Sequence, residues 1–105
     1  MKKTSTQAPQ TVLLYYAGLV KKRVYAQWAI PGTLRGQEQI DIVTIKIRIL
    51  NTGTVSEMEF VSDTDNVLLK KSIIDAIDNS KPFPPFPSDL HEESLDIIIN
   101  FDTQQ

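Results

Sequence analysis

Residues 43–60, VTIKIRILNTGTVSEMEF, decide the fold of this chain. Two runs of alternating apolar and polar residues flank the turn signal Asn51-Thr52-Gly53-Thr54, a pattern that predicts a β-hairpin. If Asn51 faces Thr54, apolar residues oppose each other on one face and basic residues oppose acidic ones on the other: Ile47 with Met58, Ile45 with Phe60, Arg48 with Glu57 and Lys46 with Glu59. A slip by one residue would set apolar against acidic side chains, so the register is strongly specified.

The segment before the hairpin predicts a long amphipathic helix from Leu13 to Ile30. The helix must end before Pro31, because the residue preceding a proline is disfavoured in the α region, and Gly32 and Gly36 then indicate a loop. The apolar residues at helical spacing are Leu13, Tyr16, Ala17, Val20, Val24 and Trp28.

Two further elements follow the hairpin. Residues 63–66 (DTDN) offer side-chain oxygens that can cap a helix, and apolar residues then repeat at helical spacing from Leu69 to about Asn79. Residues 82–87 (PFPPFP), here called the proline segment, end this helix and predict an extended path. A last strand alternates inward Leu95, Ile97, Ile99 and Phe101 with outward Asp96, Ile98, Asn100 and Asp102.

The predicted order is helix, strand, strand, helix, strand, which indicates the α+β fold class. Because every strand is apolar on one face only, we expect two layers, a three-stranded antiparallel sheet with two helices on one face. The strand order is expected to be 2-1-3, which leaves the last strand at an edge. Residues 1–12 are predicted to be a linker remnant or a disordered N-terminus, and residues 13–105 to be the folded domain.

Composition and charge exclude several classes of function. The chain has 105 residues, of which 41% are hydrophobic and 23% charged, as in an ordinary globular domain. A formal net charge of -2 argues against a surface for nucleic acid. There is no cysteine for a disulfide or a thiolate metal site. The first ten residues lack the apolar run of a signal peptide or a membrane span.

No pattern in the sequence indicates catalysis, a metal site or a cofactor. The single histidine, His91, lies in a polar stretch with no cysteine to activate. Asp63 and Asp65 are similar to the start of a calcium loop, but the expected glycine is missing and Ile74 stands where a bidentate glutamate belongs. Residues 31–36 lack the lysine-serine ending of a phosphate loop. We therefore predict no enzymatic activity, no catalytic or metal-binding residues and no cofactor.

Four features resemble the TonB/TolA C-terminal domain family and together cover residues 13–102. They are the first helix with its four-residue spacing and following proline, the strand-turn-strand unit, the helix from Leu68 to Ile77, and the proline segment before an apolar strand that ends in Phe101. The residues to which the resemblance assigns a structural role are Tyr16, Val20, Val24, Trp28, Pro31, Gly53, Phe83 and Phe86.

Two departures from the family pattern bear on the branch. The tyrosine-proline pair near the start of many TonB domains is missing, and Ser62-Asp63-Thr64 stands where relatives often carry Ser-Ser-Gly. These departures favour the TolA-like branch, whereas the proline segment is more similar to TonB relatives. Both branches therefore stay open.

The resemblance implies a periplasmic energy transducer. Such a protein is anchored to the inner membrane by an upstream helix, is energised by a proton-driven motor complex and contacts an outer-membrane transporter or another periplasmic or outer-membrane protein. The implied mechanism is strand addition, in which an extended partner segment pairs with an open sheet edge.

The predicted topology makes the last strand the edge that would accept a partner, or a second copy of the chain in a homodimer. Ile98, apolar on the outward face, is the residue that we expect to contact the partner. The residues expected to form this site are Ser94, Leu95, Asp96, Ile97, Ile98, Ile99, Asn100, Phe101 and Asp102.

The proline segment supports a second hypothesis. Its overlapping PxxP spacings are typical of ligands for aromatic-lined grooves, so it could be recognised by a separate domain. The structural alternative is that the prolines restrict the unfolded chain while Phe83 and Phe86 cover the core. A small enzyme is a third hypothesis, which the missing nucleophile and base disfavour.

Overall fold

A computed structural model of the chain describes residues 2–32, 42–62 and 64–103. Its elements in chain order are α1 (Lys2–Gln27), β1 (Ile42–Leu50), β2 (Val55–Ser62), α2 (Val67–Ser80) and β3 (Ser94–Asp102). The strands form one antiparallel sheet in the order β2-β1-β3. The predicted fold class, element order and strand order are confirmed.

The core lies between the sheet and the two helices. β1 is the central strand, and its inward side chains are those of Val43, Ile45, Ile47 and Ile49, all fully buried. They join buried residues of both helices and of β3 in one cluster: Tyr16, Val20, Val24, Leu69, Ile73, Ala76, Ile77, Ile97, Ile99 and Phe101. The opposite side of the sheet, called the open face below, carries the polar side chains, as expected for a sheet with helices on one side.

α1 begins earlier than the spacing of its apolar residues predicted, at Lys2 and not at Leu13. Among the side chains that the structure describes, Val12 is the first that packs against the core. Residues 2–10 have no apolar stripe, so hydrophobic periodicity could not indicate a helix there. The assignment of residues 1–12 to a linker stays a prediction.

α1 also ends earlier than predicted, at Gln27 and not at Ile30. The N–H of Trp28 donates to the carbonyl of Tyr25 (3.2 Å), the tighter bond with which helices often end. Trp28 and Ile30 then pack against the core from outside the helix, before Pro31. The predicted loop beyond Gly32 lies outside the described residues.

α2 begins at the capping signal. The side chain of Asn66 accepts a hydrogen bond from the N–H of Leu69 (3.0 Å), and the hydroxyl of Thr64 accepts one from the N–H of Asn66 (3.1 Å). An asparagine at this position satisfies a backbone donor that the helix itself leaves unpaired. Asp63, the first residue of the predicted cap, lies outside the described residues.

The predicted register of β1 with β2 is confirmed in every pair: Ile47 with Met58, Ile45 with Phe60, Arg48 with Glu57 and Lys46 with Glu59. Both faces of the hairpin were therefore readable from side-chain chemistry alone. β2 is the less protected strand, since Met58 on its apolar face is 37% exposed.

The predicted turn is wrong in one respect, because Asn51 does not face Thr54. The N–H of Leu50 donates to the carbonyl of Thr54 and the N–H of Gly53 donates to the carbonyl of Leu50, both at 2.8 Å. The turn thus holds three residues, and the ladder shifts register just beyond it. Gly53 has a φ of 93°, as the last position of such a turn requires. The register shift is a β-bulge, in which β2 has one residue more than β1 opposite it.

The proline segment is bound to this turn by both of its backbone N–H groups. Its four prolines have none, and the N–H of Phe83 donates to the carbonyl of Gly53 (3.2 Å) while that of Phe86 donates to the carbonyl of Asn51 (2.9 Å). Phe83 is buried in the core, and Phe86 packs against it. The segment therefore has the structural role that the sequence offered as the alternative to a free ligand.

The other side of the proline segment is held by α1. The hydroxyl of Tyr16 donates to the carbonyl of Pro84 (2.6 Å), and the tyrosine ring packs edge-on against Phe86 at 5.0 Å. Burial raises the pKa of the Tyr16 hydroxyl, an effect that the charge of Arg23 partly offsets, so the hydroxyl remains a donor. The guanidinium of Arg23 donates to the carbonyl of Pro82 (3.3 Å). α1 and the hairpin turn are thus joined through the segment.

Replacing Gly53 with alanine should destabilise the domain by about 2–4 kcal/mol. The substitution combines a strained positive φ with a Cβ that would collide with the carbonyl of Phe83. Urea denaturation measures the effect. Gly18→Ala is the matched control, because a Cβ at Gly18 meets nothing within 4 Å, and it should stabilise α1 by up to about 1 kcal/mol. Equal stability of Gly53→Ala and the unchanged protein would contradict the role assigned to this turn.

Candidate functional site

β3 contains all the residues that the sequence predicted for partner binding, with the same bounds, Ser94–Asp102. It is an outer strand and, among the described residues, its strand partner is β1. Its inward side chains are buried and belong to Ile97, Ile99 and Phe101, while Asp96, Ile98 and Asn100 are exposed. The predicted alternation is confirmed. Partner binding by this strand stays a prediction.

One hydrogen bond at the end of β1 establishes which backbone groups reach the free edge of β3. The N–H of Asn51 donates to the carbonyl of Glu93 (2.9 Å), which makes these two residues a hydrogen-bonded pair. In the same register, the odd-numbered residues of β3 bond to β1. In an antiparallel ladder, successive residues alternate between bonding to the neighbour and pointing away from it. The even-numbered residues therefore direct their N–H and C=O groups to the free edge: Ser94, Asp96, Ile98, Asn100 and Asp102.

The same even-numbered residues place their side chains on the open face. Ile98 lies opposite Lys46 of β1 and is 44% exposed. An incoming strand would thus meet two kinds of contact at each of these residues, backbone bonds along the edge and a side-chain neighbour on the open face. Ile98 is the apolar member of the set.

Tyr25 of α1 reaches this edge, a contact that the sequence did not indicate. Its hydroxyl donates to the carbonyl of Asn100 (2.7 Å), one of the groups that point away from β1. Its ring packs edge-on against Phe101 at 5.9 Å. Burial raises the pKa of Tyr25, and the bond to Asn100 lowers it by less, so the hydroxyl stays protonated. Tyr25 lies outside the four-residue spacing of α1, and its role becomes visible only when the register of β3 is known.

Trp28 fixes the helix end that carries Tyr25. Its ring packs edge-on against Phe101 at 5.0 Å, and its indole N–H donates to the hydroxyl of Ser72 in α2 (3.1 Å). Edge-to-face packing of this kind adds about 0.5–1.5 kcal/mol beyond the burial of apolar area. Trp28 is therefore a core anchor, as the sequence predicted.

Arg48 links the three strands on the open face. Its Nε donates to Oδ1 of Asp96 in β3 (2.8 Å), and its Nη1 lies 3.4 Å from Oε2 of Glu57 in β2. The hydrogen bond from Arg48 lowers the pKa of Asp96, and the same bond raises the pKa of Arg48. Exposed ion pairs of this kind contribute little to stability, so their main effect is to favour one cross-strand register.

His91 and the acidic side chains are the candidates for catalysis or metal binding that the sequence offers. His91 is exposed. Within residues 2–32, 42–62 and 64–103, no group of three or more His, Cys, Asp or Glu side chains could hold a metal ion. Neither described helix is both long and apolar enough to cross a membrane.

Replacing Arg48 with methionine should raise the pKa of Asp96 towards its ordinary value, as measured by a pH titration of its side-chain carbon signal in NMR. Asp96 has a lower pKa in the folded state than in the unfolded chain, whose value is about 3.9. Its ionisation therefore stabilises the fold above that pH, and the contribution is lost as pH falls through the folded-state pKa. Arg48→Met should weaken this acid dependence.

Lys46→Met is the matched control for that titration. Lys46 lowers the pKa of Asp96 only through its charge, the smallest of the contributions, so its removal should shift the titration less. Equal shifts in the two variants would show that the hydrogen bond from Arg48 is not the main cause.

The comparison with known families rests on one match. The family profile described as TonB C terminal matches residues 14–101. The matched range includes most of α1, the whole sheet apart from the last residue of β3, and α2. No curated protein and no solved structure matches the chain. Because the profile covers well over half of the sequence, this chain belongs to the TonB C-terminal domain family.

Proposed function

We propose that this domain is the partner-binding end of a TonB/TolA-type energy transducer and that it binds an extended segment of its partner along the free edge of β3. The partner is an outer-membrane transporter or another periplasmic or outer-membrane protein. In the full-length protein, an upstream membrane helix and its motor complex would supply energy from the proton gradient across the inner membrane.

Family membership supports the location and the type of activity. TonB C-terminal domains are periplasmic domains that interact with other proteins and are not enzymes. A domain of this type needs a surface that a second chain can bind. In this chain, the edge of β3 offers unpaired-strand geometry that supports such a role.

The observation that carries the proposal is the geometry of β3. It is an outer strand whose even-numbered residues direct backbone donors and acceptors away from the sheet. Strand addition uses those groups for affinity and the neighbouring side chains for specificity. The charges of exposed Asp96 and half-buried Asp102 limit unselective pairing, as charges on natural edge strands do.

The direction of the hydrogen bonds suits a mechanical task. Bonds between antiparallel strands run perpendicular to the strands. A force along the added strand therefore loads several bonds together, whereas a force across it would break them one at a time. We therefore infer that the edge of β3 transmits a pulling force from the inner membrane to the partner.

The proline segment favours this function over a role as a free peptide ligand. Both of its N–H groups bond to the hairpin turn, and Phe83 is 2% exposed. A separate domain would have to remove these contacts to recognise the segment. The choice between TonB-like transport and TolA-like envelope integrity depends on which partner binds.

An amide-resolved NMR titration with N-terminal peptides of outer-membrane transporters tests the proposal. We expect shifts concentrated on Ser94–Asp102, which would support strand addition and the TonB-like role. If the folded domain shows no shifts with any peptide, the TonB-like role is wrong and a folded periplasmic partner of the TolA-like kind is indicated. A parallel measurement of molecular mass separates these shifts from pairing of two copies.

Replacing Ile98 with lysine should weaken peptide binding roughly tenfold, because it removes the apolar side chain that an added strand would contact on the open face. Calorimetry or the same titration measures the loss. Val61→Lys is the matched control, since Val61 is a 58% exposed apolar residue of β2, the opposite edge strand. Unchanged affinity in a folded Ile98→Lys variant would remove Ile98 from the site.

A further inference from the structure

The free edge of β3 is not uniform along its length. Ser94, Asp96, Ile98 and Asn100 all direct backbone groups outward, but the carbonyl of Asn100 already accepts a hydrogen bond from Tyr25 (2.7 Å). Tyr25 belongs to α1, in the helical layer, so its side chain extends past the sheet edge to reach this carbonyl. One end of the edge is therefore covered by a part of the domain itself.

We propose that Tyr25 is the stop that sets the length and register of an added strand, so that the partner pairs with Ser94, Asp96 and Ile98 and ends before Asn100. This inference rests on the proposed function, because it describes how strand addition at the same edge is limited.

The contacts of Tyr25 make it a fixed stop. Its ring packs on Phe101 at 5.9 Å with an interplanar angle of 81°, and Phe101 is itself fully buried. Trp28 packs on the same phenylalanine and is bonded to Ser72 of α2. Movement of Tyr25 away from the edge would leave the carbonyl of Asn100 without this donor and would open the packing at Phe101.

The hydrogen-bond pattern explains why pairing ends there. An antiparallel partner exchanges two bonds with each edge residue that points outward. At Asn100, the hydroxyl of Tyr25 lies 2.7 Å from the carbonyl oxygen, where it competes with the partner N–H for the same acceptor. An N–H buried there without an acceptor would be unfavourable. Residues 94–98 are left for pairing, a length of about 17 Å at 3.4 Å per residue.

The side chains along residues 94–98 indicate the chemistry of the partner. Next to Ile98, an apolar partner side chain would bury the exposed isoleucine on the open face. Next to Asp96, an acidic side chain would be repelled, while a neutral or basic one would fit beside the carboxylate that Arg48 holds. The partner is therefore an extended segment of about five residues, with an apolar residue at the end nearest Tyr25.

The test compares Tyr25→Phe with Tyr15→Phe. The first variant keeps the ring on Phe101 and removes the hydroxyl from Asn100, whereas Tyr15 is a 66% exposed tyrosine of the same helix and serves as the control. Each protein is titrated with two transporter-derived peptides, whose strand-forming segments have five and seven residues. Amide hydrogen exchange is followed on β3. Thermal unfolding shows whether both variants are folded.

In the unchanged protein and in Tyr15→Phe, we expect protection of the amides of Asp96 and Ile98 but not of Asn100, and equal affinity for the two peptides. In Tyr25→Phe, protection should extend to Asn100, and the longer peptide should bind roughly tenfold more tightly, as expected for added backbone bonds.

Two other outcomes would overturn the inference in different ways. Binding with the same protected amides and the same affinities in both variants would show that Tyr25 is not the stop and would leave strand addition intact. Binding to no described edge residue in any of the proteins would remove strand addition and the stop together.

Discussion

The fold depends on the burial of one face of β1, the only strand of the described sheet that is paired on both sides. Its four inward side chains have no exposed surface, and burial of each such side chain is favourable by about 1.5–3 kcal/mol. Since strand side chains alternate, a shift by one residue would expose all four and bury Lys46 and Arg48. The positions of β2, β3 and both helices follow from this one alignment.

The proline segment extends that constraint beyond the sheet. Four of its residues cannot donate a backbone hydrogen bond, and its two phenylalanines donate to the carbonyls of the hairpin turn. Tyr16 bonds to the same segment from α1. The proline segment therefore pairs both of its backbone N–H groups with carbonyls of one turn. It also connects α1 to the hairpin, just before β3 begins in the chain.

Much of this arrangement was predictable from sequence, because it depends on local periodicity and on the pairing of charges. The register of Arg48 with Glu57 and the alternation around Ile98 needed no knowledge of distant parts of the chain. The three-residue turn, the early start of α1 and the contact of Tyr25 with Asn100 were not predictable. The turn depends on a bulge in the ladder, and the contact of Tyr25 depends on a carbonyl far along the chain. The start of α1 lies in residues whose sequence has no apolar stripe.

The position of β3 has a consequence for the order of folding. β1 and β2 are neighbours in sequence and close through a short turn, whereas β1 and β3 are separated by α2 and the proline segment, so closing that contact carries a larger loss of chain entropy. The hairpin should therefore form first and leave the second edge of β1 unpaired for a time. β3 then joins by the same backbone chemistry that a partner would use on β3 itself. During that interval the second edge of β1 presents unpaired N–H and C=O groups, the feature by which an edge strand is open to pairing with another strand.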